Sequence, residues 1–186
     1  IESEYDEAIA LPGILKQVAI AESEGMDAII INCASDPGID AARELVSIPV
    51  IGPAQAAFSL ATILSQKFSV IAILERDIPD LDRMFRVYGI LDRIASVRVM
   101  DIPVLDISKD RNKAIDAMTK AALLALKEDR AEATGSPGNR QRNRQLPCAR
   151  TYRELVTRQL GHHRLRYVGS PPLPQCHPPW WRDGPA

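Results

Sequence analysis

The stretch that decides the fold is DAIIINCASDPG, residues 27–38. Its apolar half, residues 27–32, has the length and the β-branched content of a buried strand. The polar half predicts the start of a helix, with Asp36 as the N-cap and Pro37 in the first helical position. Cys33 stands between the two halves, so it should lie at the carboxyl edge of a sheet, where α/β folds bind ligands.

The thiol of Cys33 is the main candidate for chemistry. The positive end of the following helix dipole favours a thiolate, which is the reactive form of cysteine. The neighbouring carboxylate of Asp36 opposes ionisation, so the two influences act in opposite directions. The alternative is that a lone cysteine serves as a small buried apolar residue. The residues of the loop around Cys33 favour a chemically reactive thiol over a buried apolar cysteine.

Length and cysteine content narrow the class of protein. The 186 residues are enough for one ordinary domain, or two small lobes, with a real core. We expect neither a membrane span nor a secretory signal, because the sequence has no long apolar stretch and no charged-then-apolar leader. The three cysteines make no disulfide framework and their odd number is typical of a reducing compartment, so we expect a cytoplasmic protein.

Charge divides the chain near Ala133. Residues 1–133 carry 14 Lys and Arg against 22 Asp and Glu, a net charge of −8. Residues 134–186 carry 9 Arg, no Lys and two acidic residues, a net charge of +7, and hold 8 of the 14 prolines. Because this basic segment is rich in turn-forming residues and lacks hydrophobic periodicity, we predict a mostly disordered tail.

The first 133 residues alternate between helical and strand patterns. This alternation is typical of an α/β fold with mainly parallel sheets covered on both faces. The patterns predict helices at 12–24, 37–46, 54–65, 78–88 and 108–128, and strands at 27–32, 48–51, 68–74 and 95–99. The long last helix needs a strand to return to, but the periodicity fails at Ala133, and we expect no strand there.

The tail suggests two other functions, and we favour neither. A zinc site would use cysteines and histidines of the tail, but no Cys-x-x-Cys or His-x₃-His spacing is present. Arginines interleaved with aromatic residues could bind nucleic acid, although such runs in tails are more often simply solvated. The candidates for these two sites are Cys148, Tyr152, His162, His163, Tyr167, Cys176, His177, Trp180 and Trp181.

Several motifs in order resemble the hydantoin racemases of the aspartate/glutamate racemase superfamily. The resemblance covers residues 1–133, and within it CASDPG, residues 33–38, resembles the family's first catalytic-cysteine motif. The other matching segments are 1–3, 6–7, 12–13, 25–28, 40–45, 48–52, 56–57, 96–98 and 101–105.

The resemblance implies a cofactor-independent racemase of two pseudo-symmetric, Rossmann-like α/β lobes, here residues 1–66 and 67–133. A small-molecule substrate, a hydantoin or amino-acid derivative, would lie between the lobes with one cysteine on each face of its stereocentre. Cys33 matches the first catalytic cysteine, while Ala34, Ser35 and Asp36 are the expected substrate-binding residues, although Ser35 and Asp36 equally suit helix capping alone. No metal is implied, and the family suggests a homo-oligomer.

The sequence departs from the family pattern at several points. We expect the family's opening strand to be missing from this sequence. Ala34 stands where the family commonly has an aromatic residue, and Gln55 stands where an acid often occurs. Both lobes are therefore expected to be incomplete. A second cysteine should end a strand a few residues beyond Ala133, but the sequence there changes as it would in a wrong reading frame.

These departures predict impaired racemisation. Two alternatives remain open: an inactive or ligand-binding α/β fragment, and a one-cysteine relative such as a maleate isomerase or arylmalonate decarboxylase.

Overall fold

The computed structural model describes residues 1–135 and 165–168. Two short 3₁₀ turns accompany the regular elements, at Glu75–Asp77 and Leu91–Arg93. The helices are α1 Glu4–Ser23, α2 Ile39–Leu45, α3 Pro53–Leu64, α4 Ile78–Val87, α5 Val104–Ile107 and α6 Arg111–Glu128, and the strands are β1 Ala28–Ile31, β2 Val50–Ile51, β3 Phe68–Ala72, β4 Ile94–Val99, β5 Ala133–Gly135 and β6 Leu165–Val168.

The described strands form two parallel three-stranded sheets. The first has the order β2-β1-β6 and the second has the order β4-β3-β5. In each sheet the central strand is completely buried. Apolar central strands flanked by helices are the expected result of β-α alternation, and they confirm the predicted α/β fold.

The core of the first sheet lies between β1 and the helices α1 and α2. Ile29 and Ile31 point to the same face of β1 because side chains alternate along a strand. They pack against apolar residues of both helices and against Val168 of β6. The helix residues in this core are Ala10, Ile14, Val18, Ala21, Ile39 and Ala42.

Helix α1 begins earlier than the sequence pattern predicts. Proline favours the first helical turn, so we expected the helix to begin at Pro12. Instead Pro12 lies inside α1, whose N-cap is Ser3. The Ser3 hydroxyl accepts a hydrogen bond from the N–H of Asp6 at 3.2 Å. An interior proline costs a helix about 3 kcal/mol, which the fully buried face of α1 offsets.

The second sheet is covered on both faces. Helices α3 and α4 pack against Phe68, Val70 and Ala72 of β3, while α6 packs against Ile71 on the opposite face. The predicted lobe of residues 1–66 therefore contains a helix, α3, whose buried side chains join the second core. Helix α3 packs there because its apolar face fits beside Phe68. Phe58 of α3 and Phe85 of α4 pack edge to face, with their ring centroids 5.5 Å apart.

Two strands correct the expectations for the region beyond Ala133. Strand β5 runs parallel to β3 with Phe68 opposite Ala133 and Val70 opposite Gly135. Strand β6, within the predicted disordered tail, runs parallel to β1 with Ala28 opposite Leu165. The physical reason is that exposed strand edges carry unpaired N–H and C=O groups, which any available segment can satisfy. Local sequence periodicity does not contain that information.

Polar contacts of the N-terminal residues join elements of the two cores. The carboxylate of Glu2 accepts a hydrogen bond from the N–H of Val104 at 2.6 Å. Glu4 of α1 forms an ion pair with Arg83 of α4 at 2.8 Å. No helix in the described part of the chain is long and apolar enough to cross a membrane.

Candidate active site

The candidate site begins where β1 ends. The N–H of Asn32 donates to the carbonyl of Val168 at 2.7 Å, which completes the pairing with β6. The next N–H, that of Cys33, turns back to the carbonyl of Ile31 at 2.9 Å. Cys33 therefore leaves the sheet at its carboxyl edge, and its free thiol is partly exposed.

Ser35 lies next to the thiol. Its Oγ is 3.5 Å from the Sγ of Cys33, and either atom could be the donor. The hydroxyl of Ser35 also lies close enough to Glu7 of α1 to influence its carboxyl group. Burial raises the pKa of Glu7, and the negative charge of Asp80 adds to that rise, whereas the nearby hydroxyl of Ser35 and the charge of Arg83 lower it.

Glu7 was not predicted as a site residue. Residues 6–7 belong to the segments that resemble the family, but that match gave Glu7 no role, and the predicted helix began only at Pro12. Its closeness to Ser35 depends on how α1 packs over the first sheet, because the two residues belong to different elements. A sequence pattern within one helix cannot reveal such a contact.

The backbone of the Cys33 loop offers two donors. The N–H of Asp36 donates to the carbonyl of Cys33 at 3.2 Å, so it is already used. The N–H groups of Ala34 and Ser35 have no acceptor within residues 1–135 and 165–168. Two free donors beside a partly exposed thiol suit a substrate oxygen that gains negative charge.

Asp36 is placed differently from the prediction. Its side chain does not cap α2, which begins at Ile39 after the N-cap Gly38 with φ 66°. Instead the carboxylate accepts hydrogen bonds from the N–H groups of Ala54 at 3.0 Å and Gln55 at 2.8 Å, and from the hydroxyl of Tyr88 at 2.9 Å. Only 4% of Asp36 is exposed. It caps α3 and has little surface left for a substrate.

The electrostatics of Asp36 and Tyr88 follow from this burial. Burial raises the pKa of Asp36, although the three hydrogen bonds and the positive charge of Arg43 oppose that rise. The pKa of Tyr88 is also raised, first by burial and then by the negative charge of Asp36. Gln55, which replaces an expected acid, accepts a hydrogen bond from Arg43 at 2.6 Å through its Oε1.

The remaining predicted positions concern metals and the tail. Among the residues that the structure describes, no three His, Cys, Asp or Glu side chains are grouped as metal ligands. The tail candidates for zinc or nucleic-acid binding, including Cys148, Cys176 and Trp180, have side chains outside the described part of the structure.

A family model described as Asp/Glu/hydantoin racemase matches residues 1–134. The chain belongs to this racemase family. The match ends one residue after the resemblance seen in the motifs and confirms that resemblance. It also coincides with the change of composition near Ala133.

Similar proteins agree with the family. Over 133 residues, 72% of this chain, the chain is 41% identical to a hydantoin racemase of Rhizobium meliloti and 38% identical to one of Pseudomonas sp. (strain NS671). The alignments cover 55% and 53% of those two proteins, so this chain spans just over half their length.

A solved structure shares the fold. The allantoin racemase from Klebsiella pneumoniae superposes with a TM-score of 0.72 at 31% sequence identity, covering 89% of this chain and 64% of that chain. The parallel sheets and covering helices of this chain are thus arranged as in that racemase.

Proposed function

We propose that this chain is part of a cofactor-independent racemase acting on hydantoins or related amino-acid derivatives, in which Cys33 transfers the proton at the substrate stereocentre. The position of Cys33 carries this proposal. Its thiol follows the central strand of the first sheet and lies 3.5 Å from the Ser35 hydroxyl. The names of the hydantoin and allantoin racemases that the chain resembles support the substrate class.

The chemistry is proton transfer at a carbon next to a carbonyl. The thiolate of Cys33 removes the Cα proton, so the C–H bond breaks, an S–H bond forms, and the electron pair moves into the carbonyl to give an enolate. The N–H groups of Ala34 and Ser35, which have no acceptor among the described residues, are suited to donate to the enolate oxygen. Asp36 contributes indirectly, because its carboxylate is occupied by protein donors.

Complete racemisation needs a proton donor on the opposite face of the carbon. Strand β5 brings the chain alongside β3, but the next cysteine in the sequence is Cys148. We therefore propose that this chain exchanges the Cα proton from one face, with impaired net racemisation. A small-molecule partner, a homo-oligomer and a cytoplasmic location are part of the same proposal.

Deuterium exchange tests the role of Cys33. In deuterated water, one enantiomer of a 5-substituted hydantoin should slowly gain deuterium at Cα while its optical rotation is nearly retained. Cys33→Ala should abolish this exchange, because the base is removed. Mass spectrometry and polarimetry measure the two quantities. Allantoin and a free amino acid, run in parallel, identify the preferred substrate class.

The matched controls are Cys148→Ala and Cys176→Ala, which should exchange at the rate of the unmodified chain, and a sample without protein. Equal exchange in Cys33→Ala would remove Cys33 from the mechanism. Rapid racemisation in both directions would contradict the one-thiol proposal and point to Cys148 or Cys176. No exchange with any of the three substrates would refute activity of this chain.

A further inference from the structure

The loop that carries Cys33 contains a residue in an uncommon backbone conformation. Asp36 has φ 51°, in the left-handed region. Aspartate adopts this region more readily than most residues with a side chain, and the contacts of its carboxylate hold Asp36 there. The backbone of Asp36 is tied to the thiol residue, because its N–H donates to the carbonyl of Cys33 at 3.2 Å. A shift of Asp36 therefore shifts Cys33.

The contacts that hold Asp36 come from the second core. Its carboxylate accepts from the first turn of α3 and from Tyr88 at the end of α4. Both helices pack against β3, whereas Cys33 follows β1 of the first sheet. Through Asp36, the Cys33 loop is thus anchored to the opposite core.

The carboxylate of Asp36 is closely packed against Gly52, the residue before α3. A Cβ atom at Gly52 would lie 2.4 Å from the Cγ of Asp36. Real Cβ atoms do not approach other atoms so closely, so the carboxylate lies directly against the backbone that precedes α3. Three hydrogen bonds and the close contact with the Gly52 backbone restrict the movement of the Asp36 side chain. Because the N–H of Asp36 is bonded to the carbonyl of Cys33, they also restrict the turn from Cys33 to Asp36.

We propose that Tyr88 is a positioning residue for Cys33, acting through its hydrogen bond to Asp36. The proposal rests on the proposed function to the extent that Cys33 is the reacting group. Tyr88 is the side-chain donor among the three, so its hydroxyl can be removed without changing the backbone. A misplacement of a reacting group such as the thiol by about 1 Å is enough to slow the chemistry about a hundredfold.

Tyr88→Phe isolates the hydroxyl. The ring of Tyr88 lies 6.4 Å from the ring of Phe58, measured between centroids, and phenylalanine keeps that apolar contact. We expect the saturated rate of deuterium exchange to fall about fivefold or more while KM changes less than about twofold, because alignment rather than binding is lost.

A second readout does not need catalysis. Iodoacetamide modification of Cys33, followed at fixed pH by mass spectrometry of its peptide, should become about threefold faster or more in Tyr88→Phe, because the loop opens locally more often. Peptide mapping separates Cys33 from Cys148 and Cys176.

Two variants serve as controls. Tyr5→Phe removes a hydroxyl from a tyrosine that is 63% exposed and should leave both readouts unchanged. Val70→Ala weakens the second core at a residue that is 1% exposed without touching Asp36, and it reports the effect of lower stability alone.

The outcomes separate the two proposals. Unchanged alkylation in Tyr88→Phe, or an equal increase in Val70→Ala at matched stability, would overturn the positioning role. Faster alkylation of Cys33 only in Tyr88→Phe supports it, even if the unmodified chain exchanges no substrate. In that last case the proposed racemase activity is refuted, while the proposal that Tyr88 positions Cys33 through Asp36 is retained.

Discussion

The two sheets share one plan but differ at the carboxyl ends of their central strands. After β1 the chain continues with polar groups, and the loop makes hydrogen bonds to distant helices through Asp36. After β3 it continues with Ile73 and Leu74, and the carboxylate of Asp77 caps the next turn by accepting from the N–H of Leu74 at 2.8 Å. The loop after β1 therefore presents a partly exposed thiol, whereas the polar contact after β3 is made within its own turn.

The difference between the two loops shows where a repeated scaffold leaves room for a candidate site. The two central strands are alike in being short, completely buried and mainly apolar. The loops that follow them are not, and function depends on the side chains of the loops rather than on the sheet. In this chain the candidate site lies at the carboxyl edge of the first sheet.

The two sheets are also supported differently. The first relies on apolar packing around β1, with Val168 of β6 in the core. The second has a polar chain across β3 and β4: Ser69 lies 2.7 Å from Ser96, which donates to Asp129 at 2.5 Å. Arg98 completes this network with an ion pair to Asp129 at 2.7 Å.

The largest effect is expected from Val168→Asp. Val168 is 3% exposed, so the variant buries a carboxylate without a partner in the first core. We expect the free energy of unfolding to fall by about 3 kcal/mol or more. Urea unfolding measures the loss, and hydrogen exchange should increase in β1 more than in β3.

The control for this prediction is Leu123→Asp on α6. Leu123 is 56% exposed, so the same new charge should change stability by less than about 0.5 kcal/mol. If Val168→Asp were equally mild, β6 would not pack against the first sheet in solution, and the earlier expectation of a disordered tail would hold for these residues too.

Asp36→Asn should have the next largest effect. The amide group has one oxygen, so in either orientation its NH₂ would face an N–H of α3, that of Ala54 or that of Gln55, and a buried donor would be left without an acceptor. We expect a loss of about 2 kcal/mol in thermal or urea unfolding. Asp40→Asn is the matched control, since the Asp40 side chain is 84% exposed. Equal losses in the two variants would refute the capping role.

The smallest effect on stability is expected from Asp129, which belongs to the polar network of the second sheet. Hydrogen bonds from Arg98 and then Ser96 lower the pKa of Asp129 from 3.8 to about 2. The folded state therefore binds this proton less readily than the unfolded chain. The resulting stabilisation is present above the ordinary pKa of 3.8 and is lost as the pH falls through about 2.

Asp129→Asn should lower Tm by a few degrees at pH 6, and the difference from the unmodified chain should vanish near pH 2. Asp82→Asn breaks an exposed pair with Arg86 and serves as the control, with a shift of less than about 1 °C at both pH values. A constant Tm difference across this pH range would show that the charge of Asp129 is not responsible.

Much of the fold is determined by the sequence alone. Alternating helix and strand patterns, the buried run at residues 28–31 and the position of Cys33 just after it are all local features. They could be predicted because hydrophobic periodicity and turn chemistry act over a few neighbouring residues. The family motifs and the change of charge near Ala133 are equally visible without a structure.

Tertiary structure decided the rest. The donors to Asp36 lie 18, 19 and 52 residues away in sequence, and Glu7 reaches Ser35 from another helix. Pro12 remains inside α1, and β5 and β6 pair with strands whose edges would otherwise be open. In each case the local preference is worth a few kcal/mol at most. Long-range burial and the pairing of buried polar groups outweigh it, and only the folded chain brings those groups together.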